Sequence, residues 1–173
     1  MENLKLVIPT VTLKNSFYAM LQDWKSANEP LSPWSIGLDT SNFEKYVNTL
    51  LDASKGIGMG YLQVPHSSFW LIDENQNILA TSNLRHTLNE KLWITGGHIG
   101  YGVTPSARRK GCATKILELT LLEAKKIGIE KALITCNKSN IGSAKSILKN
   151  GGEFWKETPM ANRITQYYWI SIL

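Results

Sequence analysis

From His98 to Leu117 the chain reads HIGYGVTPSARRKGCATKIL, which commits this stretch to a strand, a short cationic loop and a helix. Residues 98–103 are strand-like, Pro105 follows, and Arg108, Arg109 and Lys110 put three cations side by side. Gly111, Cys112 and Ala113 then open the longest helical pattern, about residues 113–127. In that pattern Ile116, Leu117, Thr120, Leu121 and Ala124 share a face, while Lys115, Glu118, Lys125 and Lys126 fall mostly elsewhere; Gly128 ends it. A helix N-terminus presents unpaired N–H groups and the positive end of its dipole, so a junction of this kind attracts phosphate oxygens. Small side chains at Gly111 and Ala113 would let phosphates reach the backbone, and the loop cations would screen their charge. The same spacing also suits a plain β–α turn with solvated cations. Neither GxxxxGK(S/T) nor GxGxxG occurs here.

The charge pattern points to the same place. The 173 residues carry 19 Lys and Arg against 14 Asp and Glu, a net charge of +5. Residues 1–86 hold 6 bases and 8 acids, whereas residues 87–173 hold 13 and 6. A chain-wide basic stripe would suit nucleic acid or a membrane surface, but the cations concentrate between Arg108 and Lys115, where four occur with no acid. No stacking platform or recognition motif accompanies them, so no nucleic-acid partner is expected. No apolar run approaches the ~18 residues that span a bilayer, so no membrane partner is expected either. Two cysteines, Cys112 and Cys136, are too few for a disulfide scaffold and fit a reducing, cytoplasmic setting. They lack CxxC spacing, and neither HExxH nor a GxSxG elbow occurs, so no metal site and no serine hydrolase is expected.

The remaining pattern is that of one domain over residues 1–173. A strand is expected at 4–8, a helix at 13–24, a Pro- and Gly-containing loop at 28–39 and a second helix from Ser41 or Asn42 to Leu51. A hairpin pairs 68–72 with 78–85, and a turn near 88–90 leads through 92–94 to the strand at 98–103. After the long helix come a buried strand at 132–136, a helix at 142–149, a stop at Gly151 and Gly152, and closing strands at 154–155 and 166–173. The order is βααβββαβαββ, a mixed α/β domain.

At this point the sequence resembles the GNAT superfamily of acetyl-CoA-dependent N-acyltransferases. Arg108-Arg109-Lys110-Gly111-Cys112-Ala113 fits that family's (Q/R)-x-x-G-x-(G/A) pyrophosphate loop, between a strand and a long helix. ITCNKSNIGSAKSILKNGGEF, residues 134–154, is similar to the second family block: strand, Asn-containing loop, helix and Gly-rich exit. The resemblance covers residues 98–155, which it implies are the acetyl-CoA core, with residues 1–60 supplying the acceptor side. It implies a twisted, mostly antiparallel sheet flanked by helices, whose fourth and fifth strands splay apart. The pantetheine arm would pair with the backbone of Tyr101 and Val103, and the loop from Arg108 through Arg109, Lys110, Gly111, Cys112 and Ala113 to Thr114 would hold the pyrophosphate. Asn140 matches the Asn that bonds the cofactor arm, and Asn137 ends the fifth strand. Turn formation and capping account for both Asn residues equally well. The position where many members carry a proton-donating Tyr is Ile147 here.

Acetyl transfer from acetyl-CoA to a primary amine, by direct attack in a ternary complex, is the activity the resemblance implies. The acceptor would be a small-molecule or peptide amine, and the enzyme a monomer or homodimer. The rival reading is a non-catalytic acyl-CoA-binding or regulatory module. The attacking amine must lose a proton, yet no carboxylate lies between Glu90 and Glu118. His98 is the substitute base and Tyr101 the second catalytic candidate, although period-2 alternation sets them on opposite faces unless a bulge at Gly100 or Gly102 intervenes. Asn83, Arg85 and His86 on the third strand, and Trp34 in the loop, are the candidate acceptor contacts.

Overall fold

The computed structural model describes residues 3–60 and 63–172; Met1, Glu2 and Leu173, which the strand and N-terminal readings touch, lie outside the described residues. Strand β1 (Lys5–Val7) leads through a 3-10 turn (Val11–Leu13) into α1 (Lys14–Ser26). A second 3-10 turn (Trp34–Gly37) precedes α2 (Phe43–Ala53), which Asn42 caps by accepting from the Lys45 N–H at 3.0 Å. Next come β2 (His66–Ile72), β3 (Ile78–Arg85), the short α3 (Glu90–Ile94), β4 (Ile99–Val103) and, after a turn at Pro105–Ala107, α4 (Cys112–Lys126). The chain closes with β5 (Lys131–Asn137), α5 (Ile141–Lys149), β6 (Gly152–Met160) and β7 (Arg163–Ser171).

The strands form two antiparallel pieces, β1-β2-β3-β4 and β5-β7-β6, joined at a bridge between Gly97 and Ile134. Beyond that bridge β4 and β5 part, as the resemblance implied. Two layers of helix cover the sheet. On one face α1 and α2 bury Phe17, Phe43, Tyr46 and Trp70 together, with Phe17 5.3 Å from Trp70 between ring centroids. On the other face α4 and α5 cover Leu84, Ile99, Ala132, Ile134 and Tyr168. The expected apolar face of α4 is the buried one: Ile116, Leu117, Thr120, Leu121 and Ala124 are all buried. Tyr167 and Tyr168 are likewise buried. Among the described residues no helix is long and apolar enough to cross a membrane.

Two local readings change. The stretch near residues 90–94 is a helical turn, because Asn89 caps it by accepting from the Leu92 N–H at 3.0 Å, a side-chain bond that overrides its short apolar run. The strand expected at 154–155 extends over Gly152–Met160, because β7 pairs with its whole length and tolerates Pro159 on the sheet's edge.

Candidate active site

The site grows from the unpaired edge of β4. In the β3–β4 ladder the Arg85 N–H donates to the His98 carbonyl at 2.7 Å and the Thr104 N–H to the Leu79 carbonyl at 2.9 Å. Register runs without interruption from Leu84↔Ile99 to Ala80↔Val103, so no bulge intervenes at Gly100 or Gly102. Alternation then turns the peptide groups of Tyr101 and Val103 away from β3, toward the splay. Two side chains confirm that direction: Ser32 Oγ donates to the Tyr101 carbonyl and Arg108 Nε to the Val103 carbonyl, each at 3.3 Å.

That edge leads directly into the cationic loop. Arg109 (φ 62°) and Gly111 (φ 80°) are both left-handed, a conformation natural to Gly and costly to Arg, and together they turn the chain into α4. No side chain caps α4, whose first ladder bond runs from the Lys115 N–H to the Gly111 carbonyl at 3.0 Å. The N–H groups of Cys112, Ala113 and Thr114 therefore precede the helical ladder. Cys112 is buried against Leu71, Ala80, Ala107 and Ile116, and burial pushes its thiol pKa up, so it packs rather than reacts. Lys110 Nζ donates to the Ser106 carbonyl at 3.1 Å. Arg108 points elsewhere. Both its terminal nitrogens reach Glu29 at 2.7 Å, and its guanidinium lies 5.1 Å from the Trp24 ring centre.

Across the splay, Asn140 Oδ1 accepts from the Ser143 N–H at 3.0 Å and so caps α5, while Asn137 Oδ1 accepts from the Ser139 N–H at 3.1 Å. Ile147 is fully buried in the α4/α5 core. Ser143, one turn before it on the same helical face, was not singled out by sequence. Its Oγ lies 2.9 Å from Tyr101 Oη, and it also hydrogen-bonds the Cys136 thiol, so one hydroxyl joins β4, β5 and α5. Burial raises the Tyr101 pKa to about 12, which keeps that phenol protonated. The available sequence signal was its four-residue offset from Ile147.

His98 sits at the apex of the splay. Its N–H donates to the Leu133 carbonyl at 2.7 Å, and its Nδ1 accepts from the Leu133 N–H at 2.9 Å. Burial and the nearby Arg85 charge lower its pKa to about 4, so the ring is neutral. With Nδ1 occupied as an acceptor, the ring proton resides on Nε2, and neither nitrogen offers a free lone pair. His66 is similar: Asn83 Nδ2 lies 3.0 Å from its Nδ1, and burial, followed by Arg85 and His86, lowers its pKa to about 4.

Of the acceptor candidates, Asn83 and Arg85 share the α1/α2 face of the sheet, and Trp34, which is 39 % exposed, contacts His66 edge-on at 5.3 Å between ring centres. Asn83 itself is fully buried. His86 is not with them; its Nε2 bonds Ser67 Oγ at 2.9 Å, and Ser67 pairs with Leu84 on the opposite face. Two surface cavities, of about 500 and 270 Å³, are lined by residues around α1, α2 and β2 rather than by the splay.

Buried neutral histidines carry a stability signature. Both His66 and His98 titrate near 6.5 when unfolded and near 4 in the fold, so the unfolded chain binds more protons between those values. Stability should therefore be fully present above pH 6.5 and fall as pH drops toward 4. Thermal midpoints measured from pH 7 to 4.5 check this, and His98→Asn should flatten the slope whatever its effect on the absolute midpoint.

An open strand edge running into a left-handed loop at an uncapped helix start, with a second strand splayed away, is the arrangement that the resemblance to the GNAT superfamily implied. The family comparison agrees: the family described as acetyltransferase (GNAT) domain matches residues 4–153. The chain belongs to the GNAT acetyltransferase family. Similar solved structures include the ribosomal-protein-S5-alanine acetyltransferase of Vibrio fischeri (14 % identity, 99 % of this chain, 94 % of that one, TM-score 0.74). Another is the Salmonella typhimurium acetyl transferase that modifies the N-terminal serine of ribosomal protein L7/L12 (14 %, 100 % and 97 %, 0.71). A third is the microcin C7 self-immunity acetyltransferase MccE, solved with acetyl-CoA and AMP (13 %, 99 % and 94 %, 0.69). No curated protein matches the chain by sequence.

Proposed function

We propose that this protein transfers an acetyl group from acetyl-CoA to a primary amine by direct attack in a ternary complex. The observation that carries the reading is the continuity of the β4 edge with the Arg109–Gly111 turn and the start of α4. The N–H groups of Tyr101 and Val103 would pair with the pantetheine arm. Those of Gly111, Cys112, Ala113 and Thr114, with Arg109 and Lys110 beside them, would hold the pyrophosphate. The Nδ2 groups of Asn137 and Asn140 remain able to donate to the arm. When bound, the cofactor supplies a thioester activated for acyl transfer. Ser143 Oγ would donate a proton to the departing sulfur, with the Tyr101 hydroxyl behind it. His98 holds β4 to β5 and does not take the amine's proton; water at the cleft does.

Titration with acetyl-CoA tests the reading. Wild type should bind, and Arg109→Glu should weaken binding at least tenfold by putting an anion beside the pyrophosphate. Gly111→Glu, which adds strain as well as charge, should weaken it further. Failure of the wild type to bind would remove the proposal. The buried Ile147 and the occupied His98 favour one second reading, a non-catalytic acyl-CoA-binding module. Sustained, amine-dependent release of CoA would exclude it.

A further inference from the structure

On the α1/α2 face, a row of polar residues crosses three strands: His66 and Ser68 on β2, Asn83 and Arg85 on β3, and Gly100 on β4. Arg85 is the anomaly in that row. Its guanidinium is largely buried, and Nη1 donates to the Gly97 carbonyl at 2.9 Å and the Gly96 carbonyl at 3.3 Å. Among the described residues no carboxylate forms an ion pair with it, and its side-chain bonds there run from Nη1, leaving Nε and Nη2 without a partner among those residues. Taking such a charge out of water against two carbonyls is costly, and its remaining donors form half of a fork that fits a carboxylate.

The fork lies beside Gly100. A Cβ at Gly100 would stand 3.6 Å from Arg85 Nη2 and 3.6 Å from Pro33 Cβ, so the glycine keeps that face of the guanidinium clear of any side chain from its own position. Gly100 adjoins Tyr101, whose backbone would carry the cofactor arm, and Trp34 follows Pro33 in sequence. The two buried side-chain atoms without a partner among the described residues, Asn83 Oδ1 and Thr165 Oγ1, belong to residues on this same sheet face.

We infer that the acceptor amine carries a carboxylate, which the Nε and Nη2 edge of Arg85 grips beside Gly100. This rests on the proposed acetyl transfer and names its substrate class. The carboxylate is either that of a small amino acid or an acidic side chain near a peptide's N-terminus, and paired acceptors separate the two sources. Glycine against glycinamide, with rates per unprotonated amine, reads the first; Gly-Asp-amide against Gly-Asn-amide reads the second. In at least one pair, kcat/KM for CoA release should favour the carboxylate at least tenfold. Arg85→Gln should bring that ratio to within twofold of unity, and Arg85→Lys, keeping charge without the fork, should fall between. Because Arg85 also holds Gly96 and Gly97, the wild-type ratios stand as a test even if the variants fold poorly. Ratios within twofold in both pairs would overturn the inference while leaving acetyl transfer intact. If acetyl-CoA binds but no amine releases CoA, the transfer reading fails instead. The inference is then read from tryptophan-fluorescence titration of the acetyl-CoA-loaded protein with the same pairs: tenfold tighter carboxylate binding supports it, and equal affinity overturns it.

Discussion

Ser143→Ala should lower turnover about a hundredfold while acetyl-CoA affinity changes less than twofold, the pattern of a group used only as the sulfur departs. Ser143 Oγ is 2.9 Å from Tyr101 Oη, and Tyr101 stays protonated at neutral pH because burial raises its pKa to about 12. The Ser143 N–H already caps onto Asn140, and neither that bond nor the start of α5 needs the hydroxyl, so the variant should fold normally. Steady-state release of CoA, beside a binding titration, separates the two parameters. Turnover unchanged from wild type would hand the proton to water. Ile147→Tyr should not rescue the variant, because position 147 faces the packed core rather than the cleft.

Gly97→Ala should cost more than about 3 kcal/mol, because one methyl group there meets both backbone strain and a backbone clash. Gly97 is left-handed at φ 63°, and a Cβ there would stand 2.2 Å from the Leu133 carbonyl oxygen. Backbone strain and a backbone clash thus fall on the bridge that joins the two sheet pieces. Gly128→Ala supplies the comparison: φ is 81° but nothing lies within 4 Å, so only the left-handed penalty of roughly 1 kcal/mol applies. Urea unfolding midpoints of the two variants would measure the difference. Equal losses would show that the bridge yields easily.

What sequence made legible follows the range of each interaction. The strand, loop and α4 between His98 and Lys126 were readable because cap chemistry, helical spacing and a Gly stop all act within a few residues. The opposite facing of His98 and Tyr101 was readable too, since uninterrupted register preserves simple alternation. The partners were not. Arg108 meets Glu29 across 79 positions, and Leu133 meets His98 across 35, with no local pattern to announce either. His98 invited a role as base from its type alone, and the main-chain bond that occupies its ring appears only when β4 meets β5. His86 stood next to Arg85 in sequence and was grouped with it, but β-alternation sends their side chains to opposite faces. Ser143 lay within a recognised helix, and its meaning came from the tyrosine that reaches it from another strand.

The fate of Arg108 changes how ionic atmosphere acts on this enzyme. Its charge is spent internally on Glu29, and Lys115 is paired with Glu118 at 2.8 Å. At the proposed cofactor seat a pyrophosphate would therefore meet a field dominated by Arg109 and Lys110, both exposed and without a carboxylate partner among the described residues. Charges in such a position are screened over about 8 Å at physiological salt, whereas N–H groups at a helix start act by contact and geometry. On the proposed seat, holding the cofactor would thus be mainly a task of fixed dipoles, with only a thin cationic contribution for dissolved ions to erode.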